Sequence, residues 1–170
     1  LNLPLQGQLQ FLGRDAGGPG QWGLVRSVPV PSLMFGTVDL DGDLAVTGNG
    51  DEAVDHDGNP ATPDLAGAGV VRVFGRHAGG YDNWGLLAKL HKGSGAKQDG
   101  HYGSSVALEG GRVAVGYPDG DAVSPAVAGA GVVELTATGS GVWTEATIPN
   151  PFLATAAEFG GALSVDGPYL

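Results

Sequence analysis

The sequence predicts an all-β fold made of a repeated four-stranded antiparallel unit. Three observations lead there. Thirty-two glycines in 170 residues, with no G-X-Y period and only 11 prolines, call for many tight turns between short strands. No window places apolar residues at i, i+3, i+4 and i+7, and the glycines would break helices. Finally, the chain repeats itself. GQLQFLGRDAGGPGQWGL (7–24) and GVVRVFGRHAGGYDNWGL (69–86) match at nine positions with an offset of 62. A looser third copy, GAGVVELTATGSGVWTEATI (129–148), places Trp143 59 residues after Trp84. Four antiparallel strands per repeat describe a β-propeller blade; a β-sandwich accounts for the strands but not for a repeat of this length.

The elements follow in order. Residues 1–34 read as the last two strands of one unit, 35–101 as a full blade, 102–158 as a second, and 159–170 as the start of the next. The second full unit shows its strands most clearly: SSVALE, RVAVGY, AGVVEL and VWTEATI, separated by Gly-Gly, by a loop rich in Ala and Pro, and by Thr-Gly-Ser-Gly. The ends fall inside units. The expectation is therefore about three blade-equivalents of a larger propeller, completed by further chain or by other copies in a homo-oligomer.

Composition bounds the function. Eighteen acidic against eight basic residues give a net charge of -10, which repels nucleic acid and anionic membranes and favours cations. Without cysteine there is no disulfide framework, thiolate zinc site or cysteine nucleophile. No apolar stretch approaches the ~18 residues of a spanning helix, and LNLPLQGQLQ has no signal-peptide pattern, so the numbered chain reads as a mature or excised piece.

A family resemblance rests on recurring motifs. Phe35-Gly36, Tyr102-Gly103 and Phe159-Gly160 each precede a strand; Leu44-Ala45-Val46 or Val113-Ala114-Val115 follows with Gly48 or Gly116, then Gly-Ala-Gly-Val-Val and a late Trp. Together these resemble the FG-GAP repeat, which builds the propeller of integrin α-subunit heads and of many bacterial secreted or surface proteins. In place of that family's Gly-Ala-Pro stand Val46-Thr47-Gly48-Asn49-Gly50 and Val115-Gly116-Tyr117-Pro118. The resemblance implies a non-catalytic recognition or adhesion module, extracellular or at the cell surface, that binds a protein partner.

Calcium is the one cofactor considered. In FGTVDLDGDLAVTG (35–48), Asp39, Asp41 and Asp43 alternate, but the segment is too short for a calcium loop, and Asp41-Gly42 reads as a two-residue hairpin turn. A better candidate lies in NGDEAVDHDGNPATPDLAG (49–67). Asp55, Asp57 and Asn59 alternate around Gly58, and Asp64 supplies a later carboxylate. Residues 39–64 hold eight acids and no Lys or Arg, a repulsion that a divalent ion relieves. A solvated acidic insertion with Asn-Pro and Thr-Pro turns accounts for the same residues, and both readings stay open.

Other chemistry is poorly supported. His56, His77, His91 and His101 lack a zinc spacing; Ser104 and Ser105 lack the G-x-S-x-G context; no phosphate-binding glycine pattern opens a helix. Trp22, Trp84 and Trp143 share one repeat position and should pack between blades. Loops joining strands two and three, and each blade to the next, should share one face. That face is expected to present Asp51, Glu52, Lys92, Lys97, His101, Tyr117, Asp119 and Asp121 to a protein or glycan partner. The alternatives are a carbohydrate-binding propeller, with exposed Tyr81, Tyr117 or Trp84, and a structural subunit assembling through open strand edges.

Overall fold

Each copy of the repeat contributes one antiparallel sheet. The computed structural model describes residues 6–31, 36–123, 126–127, 132–139, 142–151 and 158–167. Strands β1 (Gln6–Arg14) and β2 (Trp22–Pro31) form a hairpin. A first four-stranded sheet runs β3 (Thr37–Asp41), β4 (Leu44–Asn49), β5 (Val70–Gly75) and β6 (Gly85–Leu90), in chain order. A single 3-10 turn, Gly93–Gly95, precedes β7 (Val106–Glu109) and β8 (Arg112–Tyr117). The second sheet orders β7, β8, β11 (Val132–Gly139) and β12 (Val142–Pro149). In its long loop, β9 (Ala122–Val123) and β10 (Ala126–Val127) pair as a small hairpin that the sequence reading treated as loop. All these pairings are antiparallel, and the described residues contain no α-helix.

The strands read as apolar runs because the central ones are covered on both faces. Val46, Val71 and Val73 of the first sheet pack against Val106, Leu108, Val113 and Val115 of the second, with Tyr102 and Tyr117. On the other face, Ala45, Phe74 and Trp84 meet Phe11 and Val30 of the β1–β2 hairpin. Phe11 stacks on Trp84, with ring centroids 4.2 Å apart and 5° between planes. A register shift between Phe11 and Leu12 recurs between Val73 and Phe74, 62 residues later, so the bulge is part of the repeat.

Turn chemistry departs slightly from expectation. Gly42 and Asp43, not Asp41 and Gly42, join β3 to β4, because Asp41 still pairs with Leu44. Gly42 takes φ 56°, and a two-residue hairpin loop with glycine first accommodates that value without a Cβ clash.

Close backbone contact sets the spacing of the sheets. A Cβ on Gly48 would lie 2.0 Å from the Gly103 carbonyl oxygen, and one on Gly116 would lie 2.0 Å from that of Gly160. Here the Phe-Gly and Tyr-Gly motifs acquire a physical meaning. Gly103 and Gly160 land on the second-strand glycines of the preceding units, Gly48 and Gly116, where no side chain fits.

Candidate functional site

The loops leaving β4, β6 and β8 meet at the junction of the two sheets. Backbone bonds fix the arrangement: Asp99, His101 and Tyr102 donate their N–H groups to the carbonyls of Ala66, Gly67 and Ala68, at 2.9, 2.9 and 3.0 Å. His101 is held with φ 56°, and the Ser104 hydroxyl donates to its carbonyl at 2.7 Å. The imidazole thus projects between two carboxylates from different units. Nδ1 lies 2.7 Å from Asp119 Oδ2 and Nε2 3.6 Å from Asp51 Oδ1. Lys97 Nζ donates to Asp121 Oδ1 at 2.8 Å and to the Asp119 carbonyl at 3.2 Å. Gly50, Asp51, His101 and Ser104 line an open cavity of about 220 Å³ beside this cluster.

Five of the eight anticipated face residues are therefore brought together: Asp51, Lys97, His101, Asp119 and Asp121. Lys92 is the N-cap residue of the 3-10 turn. Two others are corrected. Glu52 is internal, paired bidentately with Arg72 at 2.6 and 2.7 Å and near Lys89 at 3.6 Å. Burial pushes its carboxyl up, but the hydrogen bonds and charge of Arg72, with Lys89, outweigh that, so its pKa falls below 4.5. Tyr117 is only 3 % exposed, with its ring edge-on to Tyr102 and bounded by Gly100 and Gly120. Its side chain belongs to the core.

The proposed calcium residues are engaged in their own loop. Asp55 accepts the Gly58 N–H at 2.7 Å, Asp57 that of Asn59 at 2.9 Å, and Asn59 that of Ala61 at 3.0 Å. The bond from Asn59 helps hold the Asp57 carboxyl below its ordinary range. These are successive side-chain turns. Asp55, Asp57, Asn59 and Asp64 do not converge: among the described residues no group of three or more His, Asp or Glu side chains is placed to hold a metal ion.

Asp39 and Asp41 do something that sequence reasoning missed. Asp39 Oδ2 accepts the Leu108 N–H at 2.8 Å, and Asp41 Oδ2 accepts that of Gly110 at 2.7 Å. One unit later Glu109 accepts the Gly167 N–H. Asp41-Gly42, Glu109-Gly110 and Asp166-Gly167 thus form a ladder in which an acid grips the next unit's turn. The recurrence of an acid before glycine was the available signal. Asp43 instead pairs with Arg76 at 3.4 Å.

The aromatic residues separate by position. Trp84 is buried, Trp22 is 69 % exposed, and the Trp143 side chain lies outside the described residues. Of the residues put forward for a sugar platform, Trp84 and Tyr117 are buried, whereas Tyr81 is 92 % exposed and stacks on His77 with centroids 5.5 Å apart. His77 and His91 each accept a nearby backbone N–H, from Asp82 and Gly93. No protein-family model matches the chain, and no curated protein matches it significantly.

Proposed function

We propose that this chain forms consecutive blades of an FG-GAP-like β-propeller, and that its loop end recognises a protein partner outside the cell without catalysing a reaction. The observation that carries this reading is the convergence of Asp51, Lys97, His101, Asp119 and Asp121, from successive units, beside an open cavity. Three carboxylates against one ammonium make the cluster a counterpart for a basic side chain. The net charge of -10 steers such a partner toward it. Propeller loops at one end suit this work, because a rigid scaffold fixes their positions.

The test is binding of a randomised peptide library, with and without Lys and Arg, to the wild-type chain and to the Asp51→Asn/Asp119→Asn/Asp121→Asn variant. Selection of basic peptides, weakened by salt and by the triple variant, supports the reading. Enrichment indifferent to charge and to the variant removes it. A carbohydrate reading has one observation of its own, the exposed Tyr81 ring beside His77. Glycan-array binding abolished by Tyr81→Ala would favour it.

A further inference from the structure

At His101 a single proton decides how the ring meets Asp51. A carboxylate only accepts hydrogen bonds, so Nδ1, at 2.7 Å from Asp119 Oδ2, carries a hydrogen. In the neutral imidazole Nε2 is then an open lone pair, and it faces Asp51 Oδ1 at 3.6 Å, acceptor toward acceptor. Protonation reverses that relationship. Nε2 becomes a donor, and the imidazolium stands between carboxylates of two successive units. A fixed backbone delivers the ring to this place: φ is 56°, the N–H lies on the Gly67 carbonyl, and the carbonyl accepts the Ser104 hydroxyl. The loop bearing Asp51 lies directly against it, since a Cβ on Gly50 would be 3.2 Å from that of His101.

We infer that His101 gates this cluster: charged, it occupies Asp51 as a partner's cation would, and neutral, it releases Asp51 to a lysine or arginine of the partner. The inference rests on the recognition reading above and adds its regulation. Imidazole is the side chain that changes charge between about pH 5 and 8, whereas carboxylates and ammonium groups ordinarily keep theirs. The neighbours are arranged accordingly. Lys97, from the same loop as His101, is committed to Asp121 at 2.8 Å and to the Asp119 carbonyl at 3.2 Å. Asp99, two residues before His101, is turned to Gly67, where a Cβ would lie 2.6 Å from its Oδ1. Three carboxylates against one ammonium leave two negative charges in excess while the ring is neutral, and one when it is charged. Linkage makes the effect reciprocal: a cation bound at Asp51 drives the proton off the ring.

The test uses acetyl-Arg-Arg amide, whose charge is constant over this range, and NMR of the full chain at about pH 7.5 and 5.5. Wild-type affinity should fall about two- to fivefold on acidification, the scale of one exposed ion pair. The Asp51 and Asp119 carboxyl resonances should move with the His101 ring resonances. His101→Asn, a residue that tolerates positive φ and stays neutral, should bind with no pH dependence, whatever its affinity, although His56, His77 and His91 remain. Circular dichroism checks its folding. Should it unfold, the wild type decides alone, because carboxyl and ring resonances must share one midpoint. Carboxyl resonances that do not follow the ring, or a pH dependence that survives in His101→Asn, overturn the gate. Equal wild-type affinity at both pH values also overturns it and leaves the recognition reading standing. Absence of binding at either pH removes that reading at this cluster, and the gate with it.

Discussion

The carboxylate of Asp39 accepts the backbone N–H of Leu108 at 2.8 Å, across the junction between two sheets and 69 residues along the chain. With Asp41 on Gly110 it forms a pair of charge-assisted staples between successive units. Asp39→Ala is expected to cost about 1.5–3 kcal/mol in urea unfolding, the usual range for bonds to charged groups. Asp41→Ala, at a more exposed site, should cost less. If neither variant shifts the unfolding midpoint, the staples contribute nothing to the junction.

Arg72 and Glu52 join β5 to the loop after β4. Arg72→Met leaves the part-buried Glu52 carboxylate with Asn49 and the more distant Lys89 beside it and should cost about 3 kcal/mol near neutral pH. Because the folded-state pKa of Glu52 is depressed, its contribution is complete above the ordinary 4.5 and is lost as pH falls through the lower folded value. The stability gap between wild type and Glu52→Gln should therefore narrow on acidification below 4.5. A gap that is constant or widens there would contradict the ion pair.

Gly48 and Gly116 sit where a Cβ would enter the carbonyl of the next unit. Gly48→Ala and Gly116→Ala should each destabilise by about 1–3 kcal/mol or more, as overpacking does. Gly95→Ala is the control. Its added methyl would approach nothing nearer than Lys92 Cε at 3.9 Å, so the melting temperature should hold or rise. Equal losses at all three positions would mean that backbone approach is not the cause.

Adding calcium to chelated protein should leave the melting temperature unchanged in a thermal-shift assay. The oxygens of Asp55, Asp57 and Asn59 already accept bonds from their own loop, so binding would have to break those bonds first. A clear rise, lost in an Asp55→Asn/Asp57→Asn variant, would show that the loop reorganises around the ion.

Much of the architecture was legible because burial on two faces and short turns leave plain marks. LAVTGN, VVRVFG and RVAVGY are runs that only covered strands tolerate, and Gly110-Gly111, both at positive φ, announces its hairpin. Glu52 was placed on the surface because an acid in an acidic loop carries no local sign of burial. Its signal lay elsewhere, in Arg72, an arginine within a strand whose neighbours are all apolar and which therefore required a carboxylate. Tyr117 was misplaced against its own period, since Val113, Val115 and Tyr117 alternate onto one buried face. The convergence of Asp51, His101 and Asp119 was not legible in detail. It depends on the left-handed backbone at His101 and on bonds to 66–68, which no spacing encodes.

The sheet order has a kinetic corollary. In the first sheet every strand pairs with its sequence neighbours, in the second the β9–β10 hairpin intervenes between β8 and β11, and the core clusters described above join adjacent units. The chain should behave as a line of coupled segments, each able to zip from local hairpins before it locks to the next. Amide protons of β4 and β5, flanked by neighbours on both sides, should then exchange most slowly, and those of the β1–β2 hairpin should open first.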